Sequence, residues 1–200
     1  MRALIYDAAL LPLTSQWYRA VLERLPVGAR LLDIGVGTAG ALCRNADLVR
    51  SRELSVLGID IDADYVKRAQ KQVADAGLQD HVKVRLQDVY ECRDGPFEGA
   101  YFSASYMLLP DPPGALRQIL TQLTDEGRVY FTQTFQESRS PLLERAKPLL
   151  KRLTTIDFGT VTYEEDFRAS VAAGGLELDE MIELGRSGKR SYRLAIGHGS

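Results

Sequence analysis

The stretch Arg30–Gly40, Arg-Leu-Leu-Asp-Ile-Gly-Val-Gly-Thr-Ala-Gly, constrains this chain more than any other. An apolar run (Leu31, Leu32, Ile34) ends in a glycine turn, and a helix-like segment follows. Glycine takes up the backbone conformations of so tight a turn without steric cost, and it lets a ligand approach the main chain. Residues 35–40 fit G-x-G-x-x-G, the turn that sets a pyrophosphate on a helix N-terminus. Asp33, two residues before the first glycine, opposes that use, because its carboxylate would lie beside the phosphate. A turn with this acid suits a ligand that carries a cationic group.

Apolar runs and helical periodicities alternate along the rest of the chain. Leu31–Ile34, Leu54–Ile59, Val82–Leu86, Ala100–Ala104 and Val129–Phe135 read as strands, most of them apolar on both faces. Tyr65, Ala69 and Val73 recur every four residues, with Asp62 placed to cap that helix and Gly77 to end it. Leu116, Ile119, Leu120 and Leu123 predict a second helix, opened by Asp111-Pro112-Pro113. A helix carrying Trp17, Tyr18, Val21, Leu22 and Leu25 precedes the first strand, with Thr14 or Ser15 at its start. Ser140–Leu153 reads as a helix kinked at Pro148, and Thr162-x-x-Glu165 as a capping box for a helix running to Gly174. Leu176–Leu184 and Ser191–Gly197 flank a Gly/Ser/Lys turn, the pattern of an antiparallel hairpin. The expected fold is α/β: a doubly wound, seven-stranded, mostly parallel sheet with an antiparallel last strand and helices on both faces. It is expected to form one domain over residues 1–200, with 1–28 as an N-terminal cap and 136–160 as a substrate-side insertion.

Composition excludes several classes. A net charge of −2 gives no bulk attraction to nucleic acid or to an acidic membrane. No apolar run approaches the roughly 20 residues of a membrane span. The start of the chain lacks the cationic segment and small-residue cleavage site of a signal peptide. Cys43 and Cys92 lie far apart with no C-x-x-C partner, so they read as free thiols in a cytoplasmic, reducing setting, with no metal site.

The same glycine turn also fits D-x-G-x-G, as Leu32-Asp33-Ile34-Gly35-Val36-Gly37-Thr38. Four further segments follow in order: Gly58-Ile59-Asp60-Ile61-Asp62, Val84–Val89 with Asp88, Phe97–Tyr106, and Glu126–Phe131. Together they resemble the class I S-adenosylmethionine-dependent methyltransferases, over essentially the whole chain. One departure is Ala39 at the third glycine position, with Gly40 following it. The resemblance implies S-adenosylmethionine as cofactor. Gly35 and Gly37 would admit it, Asp33 would meet its ammonium, and Asp60 would take both ribose hydroxyls. Ile61 would pack on the adenine, Asp88 and the Val89 amide would read the adenine edge, and Ser103 would contact the cofactor from the fourth strand. Taken as residues alone, Asp60 also suits a cap for the next helix, Asp88 a solvated strand-end acid, and Ser103 and Ser105 a hydrogen-bonded strand terminus.

The reacting side is less legible. The fourth-strand segment is Ser103-Ala104-Ser105-Tyr106, without the Asn/Asp-Pro-Pro-Tyr associated with amide and base-amine acceptors. Tyr106 is the candidate catalytic residue, and Tyr6, Tyr18 and Gln133 are candidates for the mouth of the substrate pocket. The acceptor is expected to be a small molecule. The alternatives are an RNA or protein methyltransferase, served by the basic residues at 139–152 and by Lys189, Arg190 and Arg193, or a non-catalytic cofactor-binding subunit. A nicotinamide-dependent oxidoreductase is disfavoured by Asp33 and the closing hairpin.

Overall fold

The computed structural model describes residues 2–137 and 162–200, with the side chains of residues 2–10 excepted. Seven strands form one sheet: β1 (Arg30–Ile34), β2 (Ser55–Asp60), β3 (Val82–Leu86), β4 (Phe97–Ser103), β5 (Leu123–Gln136), β6 (Leu176–Ser187) and β7 (Arg190–Gly199). Their order is β3-β2-β1-β4-β5-β7-β6. β1 to β5 pair in parallel, and β7 runs antiparallel to both β5 and β6. The expected seven-stranded sheet with an antiparallel last strand is what forms.

Alternation along each strand splits the core into two layers, because successive side chains point to opposite faces. Leu31, Val56, Tyr101, Tyr130 and Leu194 lie in one layer. Their chain neighbours Leu32, Leu57, Phe102, Phe131 and Ala195 lie in the other. The first layer is covered by α1 (Arg2–Leu22), the short α2 (Gly40–Cys43) and α3 (Ala46–Ser51), and α4 (Ala63–Asp75). The second is covered by α5 (Pro112–Leu120) and α6 (Glu164–Ala173).

The local signals work as their chemistry dictates. Asp62 accepts from the amides of Asp64 and Tyr65 and starts α4, while Gly77 takes φ +62° just past its end. Asp111 accepts from the Gly114 amide and starts α5 with Pro112 in the first turn. Ser187-Gly188-Lys189-Arg190 closes the β6–β7 hairpin through a two-residue turn, with Gly188 at φ +57°.

Four expectations need correction. α1 begins at Arg2 and carries Pro12 within it, instead of starting at Thr14 or Ser15. The Ala- and Leu-rich segment ahead of Thr14 favours helix strongly enough to override the proline. Leu123 opens β5 rather than closing α5. The N-cap of α6 is Tyr163 without a side-chain cap bond, because Thr162 pairs with Phe135 as an isolated parallel bridge. Leu25, expected in the helix before the first strand, lies past the end of α1 at Leu22. The helix expected over Ser140–Leu153, with Pro148, lies outside the described residues.

α1 is fastened to α2 by a polar contact as well as by packing. Asn45 is buried, and its Nδ2 donates to the carbonyls of Ser15 and Ala41. These bonds tie α1 to the short helix that follows the glycine turn.

Candidate cofactor-binding site

The carboxyl ends of β1 to β4 lie side by side, the edge where open α/β sheets bind ligands. Asp33 shares the face of Leu31, so its side chain points beneath α1. It is fully buried, and the Tyr18 hydroxyl of α1 donates to its Oδ2 at 2.8 Å. Its Oδ1 is buried and finds no hydrogen-bond partner among the described residues. Burial pushes the Asp33 carboxyl up to about 7, the Tyr18 hydrogen bond pulls the other way, and the charge of Asp60 adds to the rise.

The turn is built around two glycines. Gly35 has φ +74°, and a Cβ placed on it would lie 2.8 Å from the Ser105 Cβ. Ser105 closes against it and donates from Oγ to the Ile34 carbonyl at 2.6 Å. Gly37 has φ +57° with open space where a Cβ would be, and its amide donates to Asp60 Oδ2 at 2.9 Å. Ala39 holds φ +57° at the position where the motif has its third glycine. That left-handed backbone costs an L-residue roughly 1–2 kcal/mol.

Asp60 ends β2, and its Oδ1 accepts from the Asp62 amide at 2.9 Å. Each carboxylate oxygen has a second lone pair, so Asp60 can still receive a hydroxyl on each. Ile61 beside it is 75% exposed, a large apolar side chain left uncovered at the ligand edge. Asp88 follows β3; its carboxylate is exposed and caps the short 3-10 turn Val89–Glu91 by accepting from the Tyr90 amide. The Val89 side chain packs into the core beneath. Ser103 ends β4, and with Thr132 it holds the Tyr101 hydroxyl, the Thr132 contact measuring 2.8 Å. Asp33, Gly35, Gly37, Asp60, Ile61, Asp88, Val89 and Ser103 thus share one edge of the sheet.

The expected substrate-side residues do not gather in the same way. Tyr106 is a core residue and not a group at the pocket mouth. Its ring is 1% exposed among Phe102, Phe131 and Phe167, and its hydroxyl is 3.0 Å from Ser170 Oγ. It opens a short 3-10 turn, Tyr106–Leu108, and enters the layer under α5 and α6, opposite the face of Asp33. Gln133 is also buried, and its Nε2 donates to Thr162 Oγ1 at 3.1 Å. Tyr18 is the partner of Asp33, a role that spacing alone does not reveal. The side chain of Tyr6 lies outside the described residues. So do the basic residues at 139–152. Arg193 is ion-paired with Glu137 and Glu164, which leaves Lys189 and Arg190 at the exposed hairpin tip.

A methyltransferase-domain family model matches residues 26–174, most of the chain and all of the glycine turn. The chain belongs to the class I S-adenosylmethionine-dependent methyltransferase family. Among its relatives are a phosphatidylethanolamine N-methyltransferase of Cereibacter sphaeroides, 25% identical over 131 residues covering 64% of this chain, and the methyltransferase GfsG of Streptomyces halstedii, 25% identical over 177 residues covering 86% of this chain. The chain spans 62% and 60% of the lengths of those two relatives, respectively. Among solved structures, the [4+2]-cyclase SpnF shares the fold with a TM-score of 0.73 and 17% identity, over 92% of this chain and 81% of that one. A methyltransferase fold on a cyclase shows that architecture alone does not fix the reaction.

The residues present fit the family's cofactor. An unpartnered buried carboxylate oxygen suits an ammonium, an open glycine turn admits an amino-acid tail, a strand-end acid suits a ribose, and an exposed isoleucine suits an adenine face. The fit to a dinucleotide is poor. Asp33 lies where a phosphate would go, and the β5-β7-β6 end of the sheet departs from the all-parallel dinucleotide-binding order.

Proposed function

We propose that this chain transfers a methyl group from S-adenosylmethionine to a small-molecule acceptor. The observation that carries the reading is the buried carboxylate of Asp33, held by Tyr18 on one oxygen and unpartnered on the other, in line with Asp60 and Ile61 along the same strand ends. When bound, S-adenosylmethionine supplies a methyl group activated by a sulfonium. The residues of this chain hold its ends: Asp33 the ammonium, Asp60 the ribose hydroxyls, Ile61 one face of the adenine, Asp88 and the Val89 amide its edge. Binding at both ends leaves only the reacting centre to be aligned, and alignment of this kind supplies a large share of a transfer rate.

With Tyr106 packed in the core, an acceptor that is already nucleophilic, a neutral amine or a thiolate, requires least of the protein. The phosphatidylethanolamine N-methyltransferase among the relatives supports an amine acceptor. Two free thiols, Cys43 and Cys92, suit a cytoplasmic setting. The test is incubation of the full chain with methyl-labelled S-adenosylmethionine and a panel of small amines, thiols and hydroxyl compounds. Label is expected on at least one amine or thiol. Label on RNA or protein alone would contradict the small-molecule reading, and tight cofactor binding with no transfer to any acceptor would favour a non-catalytic subunit.

A further inference from the structure

A hydrogen bond ties the N-terminal helix to β1 just before the glycine turn, and it lies on the residue that would meet the cofactor's charge. Tyr18 is 3% exposed, packs edge-on against Tyr101 with ring centroids 4.9 Å apart, and donates to Asp33 Oδ2 at 2.8 Å. Tyr101 is itself fixed through Thr132 of β5. The Tyr18 hydroxyl therefore has a set position, and it occupies one side of the carboxylate. The other oxygen is buried and unpartnered among the described residues, a costly arrangement for a charged group in a site without ligand.

We propose that Tyr18 is a positioning residue for Asp33: it takes Oδ2, leaves Oδ1 as the acceptor for the cofactor's ammonium, and so makes cofactor binding release a proton. This rests on the reading under Proposed function. Without ligand, a proton on Asp33 relieves the unpartnered oxygen. An incoming ammonium, directly or across one water, supplies the missing charge, the O–H bond breaks, and the proton leaves to solvent.

The titratable groups that face Asp33 among the described residues come from four elements. Tyr18 comes from α1, Asp60 from β2 and Tyr101 from β4, and Cys43 of α2 lies beside Tyr18. Burial raises both tyrosines, and pushes Cys43 up to about 11, so these three stay neutral at physiological pH. Asp60 adds a negative charge that favours the protonated form of Asp33. Asp33 is thus the group whose proton is exchanged near neutral pH.

The experiment is calorimetric titration of the full chain with S-adenosylhomocysteine from pH 6 to 8, in two buffers of different ionisation heat. Affinity is expected to fall about fivefold from pH 7 to pH 6, as the binding-competent fraction falls, with release of about one proton per ligand at the lower pH. 5′-Methylthioadenosine, which lacks the amino-acid tail, should show neither effect. Tyr18→Phe removes a bond that favours the carboxylate, so the step should move to higher pH. Its affinity at pH 7 should be about tenfold weaker, the worth of a charge-assisted hydrogen bond, and the deficit should shrink as pH rises. A purely structural role for Tyr18 would lower affinity equally at every pH and would overturn the proposal. Binding by the unaltered chain without proton release would overturn it too, with no variant required. Failure to bind S-adenosylhomocysteine at any pH would instead sink the cofactor reading beneath it.

Discussion

Asp60→Ala is expected to weaken S-adenosylmethionine binding by about 100-fold or more, the loss of two hydroxyl hydrogen bonds to a charged acceptor. The same change reaches the protein without its ligand. Asp60 Oδ2 accepts from the Gly37 amide and Oδ1 from the Asp62 amide, so one carboxylate ties the end of β2 to the turn after β1. Removing it leaves two backbone donors to find water. Because Asp60 is only half-buried, that cost is about 2 kcal/mol, and the thermal midpoint should fall by roughly 4–8 °C. Asp60→Asn keeps an acceptor for one amide and should recover part of the stability but little of the affinity. Isothermal titration and thermal unfolding of the two variants read both effects. Unchanged affinity in Asp60→Ala would remove Asp60 from the ribose position.

Asp33→Asn should separate stability from binding in the opposite sense. In the folded chain Asp33 keeps its proton up to about pH 7, whereas an unfolded aspartate loses it near 3.8. Between those values unfolding releases a proton, so stability falls as pH rises, and the full penalty is present above pH 7. From 3.8 to about 7 the penalty amounts to about 4 kcal/mol. An asparagine carries no charge to bury, but it leaves an amide hydrogen in the unpartnered position at a cost of roughly 1–3 kcal/mol. The net gain of about 2 kcal/mol should raise the thermal midpoint at pH 7.5 by roughly 4–8 °C. At pH 5 the gain should vanish, because only the part of the penalty built up from 3.8 to 5, about 2 kcal/mol, is present there and the asparagine's own cost cancels it. Cofactor affinity at pH 7.5 should fall by at least about tenfold, since the ammonium loses its counter-charge. A variant that binds as tightly as the parent, or whose gain in stability over the parent is no larger at pH 7.5 than at pH 5, would contradict the role given to this acid. A destabilising group kept where a ligand needs it is the usual exchange of stability for function.

The cofactor edge was legible because its signals are local. Asp33 and Asp60 lie at the ends of apolar runs and Asp88 follows an alternating strand, and parallel pairing brings consecutive strand ends to one edge whatever the loops do. The glycine positions are dictated by φ and by the approach of Ser105, which a turn motif encodes directly. The reacting side was not legible, since it depends on rotation about chain segments with no fixed period. Two residues of turn between Ser103 and Tyr106 decide which layer the tyrosine enters, and they turn it into the layer of Phe102. Thr162 and Glu165 have capping-box spacing, yet pairing of Thr162 with Phe135 moves the helix start past it.

Tyr18 shows an intermediate case. Tyr18, Val21 and Leu22 mark one buried face of α1, and Asp33 shares strand parity with Leu31, which packs in the same layer. Helix face and strand parity taken together point Tyr18 toward Asp33. Neither does so alone, since the crossing of helix over sheet is a tertiary fact, fixed partly by Asn45.

The most direct test is parallel titration of the purified chain with S-adenosylmethionine, S-adenosylhomocysteine and NAD at pH 7.5. Micromolar binding of the first two with no heat from NAD is the predicted result (a Kd of 1 μM corresponds to about −8 kcal/mol). Binding of NAD alone would contradict the account at its centre, for it would place a phosphate against the buried carboxylate of Asp33.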